Sequence, residues 1–493
     1  MKPPRTTGPG TQAARPADAT AHVEPLSSSD PVLARLSDRA GGPAGKRLRA
    51  RRRGFWSIPT ALTAATMAAV LLAALASQYC RINGWGGVSV YHWGCYSDVA
   101  ALWSTRDLSA SPWAPFSEAY ADFEYPALTM LLASLIAAAT HGADAAMGGT
   151  VLAYWGERSG LLFWDLTSLA AAGAWVVLVL ATMKAAGPRP WDAAVVALSP
   201  AIIFGIGINW DIWPAAALAL AVLCYLRRRW WLAGLLIGVG VSFKLYPLLM
   251  LGAVFTLAAR SWMRKHEPGI SWQTFARVAG GAAASWLVIN VPIMLLSFDS
   301  WARFFVFSSE RGAGYSSPWH VWSVLSEPGP SAETVSLWSF LLFAVACAGV
   351  LIIGITAPQP PRMVQLLFLV VAAFVLCNKV YSPQFMIWLV PLMVLAAPRL
   401  RDILVWHGFQ ILHFWAVWMY LAAIVGDYEQ QHSFDPVLYV AAVFGHMLAT
   451  GYIAVQVILD IYRPERDVVR AAEGAAEHPA SSGRGTHACT EPS

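Results

Sequence analysis

Charged residues are scarce in this 493-residue chain, in which Asp, Glu, Lys and Arg together make up 13%. Soluble domains carry about 25% charged residues, so a water-soluble fold is excluded for most of the chain. Hydrophobic residues make up 57%, and the mean hydropathy is +0.50. The formal net charge of +5 is no signature of nucleic-acid binding, because the basic clusters lie in a tail and in short loops. The chain is therefore expected to have membrane lipid, and no nucleic acid, as its surroundings.

Cysteine is also rare, with six residues in all, and no spacing of cysteine and histidine resembles a zinc site. We therefore predict no bound metal. Cys80 and Cys95 flank the first polar stretch, and they can form a disulfide if that stretch faces an oxidising exterior. Cys224, Cys347 and Cys377 lie in or beside apolar segments and are interpreted as small hydrophobic residues.

Both ends of the chain lack the apolar residues that a folded core requires. Residues 1–54 are rich in Pro, Gly, Ala and Ser and finish in a basic run, which is predicted to stay in the cytoplasm beside anionic headgroups. Residues 463–493 form a second predicted disordered cytoplasmic tail. Between them, residues 55–462 are predicted to form one membrane-embedded domain.

Apolar runs follow one another through this domain and predict an all-α, polytopic integral membrane protein with about twelve transmembrane helices. The 24 Trp residues suit the membrane–water interface, where Trp is enriched. Several runs are too short to cross a bilayer alone. The runs are Ile58–Gln78, Tyr125–Thr140, Gly160–Met183, Trp191–Ile208, Ile212–Leu226, Trp230–Phe243, Tyr246–Ala259, Ala276–Ser297, Val335–Ile355, Met363–Cys377, Pro383–Ala396, Ile403–Val425 and Pro436–Ile461.

Arginine and lysine clusters define the predicted cytoplasmic side, because short cytoplasmic loops carry an excess of positive charge. Working back from Arg463, every later cluster falls on that side if residues 243–246 form an outward turn between two short helices. If residues 125–140 also cross once, the number of crossings is one too many, and the front of the chain falls on the wrong side of the membrane. Either residues 125–140 are re-entrant, or residues 230–259 form one kinked helix, and the sequence leaves both alternatives open.

Polar residues collect on the predicted outer side rather than at the middle of the helices. A channel would carry ionisable groups at mid-helix, whereas groups gathered at one face suit an enzyme that acts on a lipid headgroup. These outer residues are Asp98, Glu124, Asp211, Arg311, His320, Lys379, Tyr381 and Gln384.

Three carboxylates on this side have both a functional and a structural interpretation. Asp98 lies at the start of a predicted interfacial helix, where a carboxylate can serve as a general base for an acceptor hydroxyl. It could equally be a solvated loop acid or a helix N-cap. Glu124 precedes a Pro in the first turn of an apolar segment, which suits a helix start as well as an active site. Asp211 is a good N-cap candidate that could also bind sugar hydroxyls.

The outer cations suggest an anionic ligand. Lys244 stands alone in an apolar stretch, and a buried ammonium needs an anion, such as a lipid-borne phosphate, unless it snorkels to the interface. Arg311 and His320 share a loop with glycines whose backbone amides suit a phosphate. Lys379 could snorkel, but together with its neighbours in a short outer turn it suits a pyrophosphate-like or sugar ligand.

Five short motifs follow one another along the chain, and their order is informative. They are Tyr-Ser-Asp at 96–98, Glu-Tyr-Pro-Ala-Leu-Thr at 124–129, Asn-Trp-Asp at 209–211, Gly-Val-Ser-Phe-Lys-Leu-Tyr-Pro at 240–247 and Asn-Lys-Val-Tyr-Ser-Pro-Gln-Phe at 378–385. Together they resemble glycosyltransferase family 87, the polyprenol-phosphate-mannose-dependent mannosyltransferases of actinobacteria, within the GT-C superfamily. The resemblance covers about residues 58–462, and Ala127 departs from the family's Tyr-Pro-Pro-Leu.

The resemblance implies a GT-C fold and an inverting transfer, without metal or cofactor, on the outer face of the plasma membrane. The partners would be a polyprenyl-phosphate-sugar donor, with mannose the expected sugar, and a glycolipid or polysaccharide acceptor. It implies that Asp98 is the base, with Lys244 and His320 directed to the donor phosphate. Arg311 and Lys379 complete the predicted phosphate site. The predicted sugar- and acceptor-binding residues are Glu124, Asp211, Tyr246, Tyr381 and Gln384.

The competing class is a non-enzymatic membrane protein, either a lipid-linked-sugar flippase or a small-solute transporter. Such proteins use discontinuous helices with charged groups at mid-membrane. The break in the apolar pattern at residues 243–247 is the one feature of the sequence that favours this class.

Overall fold

The computed structural model describes residues 57–117, 122–146, 159–265, 269–326, 328–428 and 434–477, so the predicted tail 1–54 lies outside the described residues. The described residues form helices without β-strands, which confirms the all-α class. The helices are α1 (Ile58–Ala76), α2 (Gln78–Asn83), α3 (Ser89–His92), α4 (Asp98–Thr105), α5 (Ala127–Ala146), α6 (Ser159–Ala185), α7 (Ala194–Ala197), α8 (Pro200–Gly205), α9 (Ile212–Leu226), α10 (Trp230–Phe243), α11 (Leu249–Met263), α12 (Trp272–Leu296), α13 (Phe298–Glu310), α14 (Pro318–Leu325), α15 (Ala332–Thr356), α16 (Met363–Cys377), α17 (Met386–Ala396), α18 (Leu400–Val425), α19 (Pro436–Tyr462) and α20 (Val468–Glu477).

Seven helices in the described part are long and apolar enough to cross a membrane, which confirms a polytopic membrane protein. They are α1, α5, α6, α12, α15, α18 and α19. Four of them begin after Ser57, Ser271, Ser331 and Asp435, each of whose side chains accepts a hydrogen bond from a backbone N–H of the first turn. Such caps satisfy backbone donors that the helix itself leaves unpaired, so these helices start at defined positions.

Shorter apolar helices fill the interior. All residues of α17 and most of α16 are buried, as expected for helices that are apolar on every face. The predicted span Trp191–Ile208 is instead broken into a 3-10 turn, α7 and α8. The break falls at Pro200, which begins α8 and cannot continue the preceding helix, while the Ser199 hydroxyl caps the new start.

Helix α5 starts and ends beside the same stretch of chain, although it is long enough to cross a bilayer. Before its start, Glu124 forms a bidentate ion pair with Arg106, with N–O distances of 2.7 and 2.9 Å. Near its end, the His141 Nε2 atom lies 2.9 Å from the Leu108 carbonyl oxygen. Because Arg106 and Leu108 are neighbours, α5 lies along the stretch that follows α4. This geometry favours the alternative in which residues 125–140 do not make a full crossing.

Residues 243–246 reverse the chain between α10 and α11. Trp230, at the start of α10, packs edge-on against Tyr225, with ring centroids 5.1 Å apart. Tyr225 and Arg260, which lies near the end of α11, line one cavity. The start of α10 and the end of α11 are therefore on the same side of the molecule, with Lys244 on the opposite side. The chain forms two short helices joined by a turn rather than one kinked helix.

Glycines allow α10 and α12 to pack closely, which fixes the end of α10 that carries Lys244. A side chain at Gly234 would collide with the Val278 carbonyl of α12, and one at Gly238 with the Ala282 carbonyl. Close backbone approach at small residues is the usual way in which membrane helices associate, since lipid gives no hydrophobic drive for their contact.

The predicted disulfide is present between Cys80 in α2 and Cys95 before α4, with Cα atoms 6.0 Å apart. Both cysteines are buried with Val90 in a small cluster of their own. The bridge closes a loop around α3 and so supports the turn that carries residue 98. Oxidation is expected where this loop faces an oxidising compartment.

Removing this bridge should lower the stability of the protein. For Cys80→Ala/Cys95→Ala we expect a loss of roughly 3 kcal/mol in the free energy of unfolding, the chain-entropy cost of a loop of this size. Thermal unfolding of the purified protein measures the loss. Thiol labelling of intact cells without reductant provides the second test, because both cysteines should stay unlabelled. Labelling of either one without reductant contradicts the bridge and the outer placement of this loop.

The described part of the predicted C-terminal tail is helical rather than irregular. Asp467 precedes α20 and pairs with Arg362, whose Nε lies 2.8 Å from Asp467 Oδ2. Gln365 also donates to the same oxygen, at 3.2 Å. Val468 and Val469 are buried, so the start of α20 is packed on the helix ends beneath it.

Candidate active site

Asp98 is the first residue of α4, and its backbone is held by the segment before α9. The Asp98 N–H donates to the Ile208 carbonyl at 2.8 Å, and the Ser97 hydroxyl donates to the Gly207 carbonyl at 2.6 Å. Ser97 also caps α4 by accepting a hydrogen bond from the Ala100 N–H. Asp98 is therefore not the N-cap, and its carboxylate is free for other contacts.

The Asp98 carboxylate accepts two hydrogen bonds from neighbouring side chains. The Tyr96 hydroxyl donates to Oδ1 at 2.8 Å, and the Asn209 amide donates to Oδ2 at 2.9 Å. The same amide lies 2.9 Å from the hydroxyl of Tyr125. The Asp98 side chain is thus held by two hydrogen bonds in a half-buried residue and is not a mobile acid in a solvated loop.

Opposing effects set the pKa of the Asp98 carboxyl. Withdrawal from bulk water raises the pKa and is the largest effect, while the hydrogen bonds from Tyr96 and Asn209 lower it. The nearby positive charges of Lys244 and Arg311 lower it further. The net result is a pKa above that of an ordinary aspartic acid. A raised pKa makes the carboxylate a stronger base, which suits proton abstraction from a hydroxyl.

Asp211 occupies the N-cap position of α9, but its side chain makes no capping hydrogen bond. Its Oδ1 atom instead accepts from Lys244 Nζ and from Trp388 Nε1, both at 2.7 Å. The Asp211 side chain is 0% exposed and that of Lys244 is 22% exposed. The capping interpretation of Asp211 is therefore wrong. The protein itself supplies an anion for Lys244, because an unpaired buried ammonium would be costly.

Aromatic rings enclose this ion pair. The Lys244 ammonium lies 5.2 and 5.4 Å from the ring centroids of Phe385 and Trp388, within the range of cation–π attraction. Trp388 also stacks face to face on Tyr246, with centroids 4.1 Å apart. Asn209, which donates to Asp98, stands two residues before Asp211, so the ion pair and Asp98 belong to one cluster.

Arg311 and Lys379 lie together beside this cluster. Arg311 follows the end of α13 and is exposed, and its charge lowers the pKa of Asp98. The Gly314 N–H, in the same loop as Arg311, donates to the Lys379 carbonyl at 2.8 Å. The pKa of Lys379 is lowered, mainly by burial and also by Arg311. Its Nζ donates to Ser336 Oγ at 2.8 Å, so it is anchored rather than extended toward the interface.

His320 lies in α14 and packs edge-on against Tyr315, with ring centroids 4.7 Å apart. Burial lowers the pKa of its imidazole, so His320 is neutral at pH 7. Its Nε2 atom is buried and has no hydrogen-bond partner among the described residues. A neutral imidazole can donate one hydrogen bond to a phosphate but adds no positive charge.

Three predicted sugar-binding residues have other surroundings. Glu124 is held in its ion pair with Arg106. Tyr381 is 1% exposed and lies within hydrogen-bond distance of Thr450 Oγ1, 3.1 Å away, inside the helix bundle. Gln384 is buried in the 3-10 turn before α17. Asp211 and Tyr246 do lie in the cluster, but the contacts that the structure shows for them are with the protein side chains Lys244 and Trp388.

Some residues of the cluster were not among the predicted site residues. Tyr96, Asn209 and Tyr125 were inside the quoted motifs, and their hydrogen-bonding groups could have marked them as partners of a candidate base. Trp388 carried no signal in the sequence, since it is one of 24 tryptophans and lies in an apolar run. Only its approach to Asp211 identifies it.

The fold and this cluster define a polytopic helical membrane protein with a carboxylate, a largely buried ion pair and an exposed arginine at one set of helix ends. A family model for glycosyltransferase family 87 matches residues 123–378, which is more than half of the chain. The chain belongs to glycosyltransferase family 87 and is a membrane glycosyltransferase. The matched region contains Asp211, Lys244, Arg311 and His320, whereas Asp98 lies before it.

A curated relative supports the same class. The chain is 28% identical over 265 residues to GPI mannosyltransferase 1 of Eremothecium gossypii. The match covers 50% of this chain and 63% of that protein, so the chain spans less than two thirds of the relative's length.

Proposed function

We propose that this protein is an inverting hexosyltransferase that moves mannose from a polyprenyl phosphate to a hydroxyl of a glycolipid or polysaccharide acceptor. The observation that carries the proposal is the Asp98 carboxylate, which accepts hydrogen bonds from Tyr96 and Asn209 and lies near the cations Lys244 and Arg311. Mannose as the sugar is supported by the similarity to GPI mannosyltransferase 1 of Eremothecium gossypii. The lipid-linked donor is supported by the membrane-embedded fold around the cluster.

In the proposed reaction, Asp98 takes the proton of the acceptor hydroxyl as its oxygen attacks the anomeric carbon of the donor sugar. The bond from that carbon to the phosphate oxygen breaks, and polyprenyl phosphate leaves with the electron pair. The proton remains on Asp98 until it is returned to water. Phosphate is a good leaving group, so cations that stabilise its growing charge suffice without a metal.

The cations of the cluster divide into two kinds. Arg311 is exposed, and Lys379 lies near it, so we assign these two to direct contact with the donor phosphate. The charge of Lys244 is matched by Asp211, so Lys244 contributes a fixed dipole and a partly exposed ammonium. His320 is assigned to a single hydrogen bond as a neutral donor. We assign Asp211 and Tyr246 to the surroundings of the donor sugar, and their contacts with Lys244 and Trp388 support this assignment.

The proposed topology places the cluster outside the cytoplasmic membrane and both chain ends inside. If α5 is left out and α7 with α8 counts as one crossing, the described helices connect the two faces about twelve times. The face opposite Asp98 carries buried and exposed arginines, among them Arg260, Arg362 and Arg399. This distribution supports a cytoplasmic placement of that face.

A transfer assay tests the proposal. Purified protein in proteoliposomes is given polyprenyl-phosphate-mannose labelled in the sugar, with membrane glycolipids as acceptors. We expect label in a new glycosidic product, with the opposite anomeric configuration, and no dependence on added divalent metal. Label that crosses the bilayer while still attached to polyprenyl phosphate identifies a flippase and contradicts the proposal. Transfer from a nucleotide sugar instead of the lipid donor contradicts only the assignment of the donor.

The pH dependence of this assay should depend on Tyr96. Tyr96→Phe removes a hydrogen bond that favours the charged form of Asp98, so the pKa of Asp98 should rise. We expect the acid limb of kcat/KM to move up by about one to two pH units, the equivalent of one hydrogen bond to a charged group. Tyr79→Phe is the control, because Tyr79 stacks on Trp93 outside the cluster. An acid limb that stays in place, or moves to lower pH, contradicts the assignment of Asp98.

A further inference from the structure

A cavity of about 330 Å³ lies at the opposite ends of the helices that hold the Asp98 cluster. Helix α9 runs from Asp211 in the cluster to Tyr225 in the cavity wall, and its 15 residues separate the two places by about 22 Å. Helix α11 likewise ends at the cavity with Arg260, and α16 begins there after Arg362. The cavity is therefore separate from the proposed catalytic centre.

Two residues that line this cavity carry a buried polar atom that has no hydrogen-bond partner among the described residues. Arg189 is 3% exposed, and its Nε atom has no hydrogen-bond partner among the described residues, although its Nη1 lies 3.1 Å from Asp192 Oδ2. Tyr225 is 5% exposed, and its hydroxyl is likewise without a partner in the described part of the chain. A buried donor left unsatisfied costs about 1–3 kcal/mol. Both groups can donate a hydrogen bond, so a ligand that satisfies them must present acceptor oxygens.

The other two arginines of the lining are held in place by protein groups. Arg260 is 2% exposed and donates to the carbonyls of Gly354 and Ala357 at 2.8 and 2.9 Å. Arg362 forms its ion pair with Asp467 at the cavity edge. Glu473 of α20 is the one carboxylate among the lining residues that the structure describes. Acceptor oxygens with negative charge suit a wall of this composition, because arginine recognises phosphate and carboxylate geometry.

The remaining wall is apolar and lies at helix ends. Leu226, Leu257, Ile270 and Met363 line the cavity between the arginines. Helix α20 covers it from outside through Val469. A site with arginines at the ends of apolar helices and an apolar wall beside them matches a phospholipid, with its phosphate at the arginines and its chain along the wall.

We propose that this cavity binds a phosphate ester, held by hydrogen bonds from Arg189 Nε and the Tyr225 hydroxyl, and that an anionic phospholipid of the adjacent leaflet supplies it. Binding would connect α20 to the ends of α9, α11 and α16, since residues from all four line the cavity. The site is independent of sugar transfer and would remain if the proposed function proved different.

Tyr225→Phe is the sharpest test, because it deletes only a hydroxyl that forms no hydrogen bond with the described residues and should leave the fold intact. The full chain is placed in phosphatidylcholine nanodiscs containing phosphatidylglycerol, and lipid retained after extraction is counted by native mass spectrometry. We expect Tyr225→Phe to weaken phosphatidylglycerol retention about tenfold, the value of one hydrogen bond to a charged group. Glu473→Gln should strengthen it by about twofold to fivefold, because a like charge is removed at a partly screened site.

Tyr462→Phe is the matched control, because its hydroxyl lies 2.7 Å from Thr356 Oγ1 at the same face but outside the cavity lining. A second arm adds inorganic phosphate to nanodiscs of phosphatidylcholine alone and follows the thermal midpoint. A rise that Tyr225→Phe abolishes supports the site with free phosphate as its source. The proposal is overturned if neither ligand binds the wild-type chain, or if Tyr225→Phe binds both as tightly as wild type.

Discussion

Asp98→Asn should lower the rate of sugar transfer by about 10² to 10⁴, the range for loss of a general base. Asparagine keeps the shape of the side chain, and its carbonyl oxygen can still accept from Tyr96 or Asn209, so the fold should be preserved. The amide cannot accept the acceptor proton at neutral pH. The loss should therefore appear in kcat, with donor affinity little changed, in the proteoliposome assay.

Asp122→Asn is the matched control for this substitution. Asp122 is 78% exposed and its distance to Arg303 is 3.5 Å, so neither stability nor transfer should depend on its charge. If Asp98→Asn turns over at nearly the wild-type rate in a well-folded protein, Asp98 is not the base. An equal loss in both variants indicates a general effect of outer negative charge.

Lys244→Met should destabilise the protein by about 3–5 kcal/mol, because it leaves the Asp211 carboxylate buried without its cation. Methionine keeps the length of the apolar stem, so packing against Phe385 is largely retained. We expect a clearly lower thermal midpoint in detergent. Donor KM should rise as well, since the partly exposed ammonium near Asp98 is lost.

A double substitution separates the structural effect from the functional one. Lys244→Met/Asp211→Asn removes both charges, and the Trp388 N–H can still donate to the amide oxygen at position 211. Stability should return to within about 1 kcal/mol of wild type, as seen when a buried ion pair is removed whole rather than broken. Transfer should stay low if Lys244 serves the donor phosphate. A stable Lys244→Met single variant would show that this ion pair is weak and that Lys244 lies at the solvated interface.

Much of the fold could be predicted from local chemistry. The bounds of α9, α10 and α16 agree with the apolar runs Ile212–Leu226, Trp230–Phe243 and Met363–Cys377. Charged and turn residues interrupt the chain at those points, and a helix in or near lipid must end where its apolar residues end. The disulfide could be predicted for a similar reason, since Cys80 and Cys95 are only 15 residues apart on one polar stretch.

Neighbouring residues alone could not determine which side chains meet. Asp211 has the sequence environment of an N-cap, but α10 and α17 bring Lys244 and Trp388 to its carboxylate. A buried charge interacts strongly with a partner a few ångströms away and little with its sequence neighbours in water, so the tertiary contact outweighs the local preference.

By itself, the sequence determined the all-α membrane class, the approximate bounds of most long apolar helices and the motif that contains Asp98, because these depend on residues close together in the chain. Only the tertiary structure decided that α5 lies along the stretch after α4 and that Glu124 is held by Arg106. It alone placed Tyr381 inside the bundle. Each of these depends on contacts between segments distant in the chain, which hydrophobic periodicity does not encode.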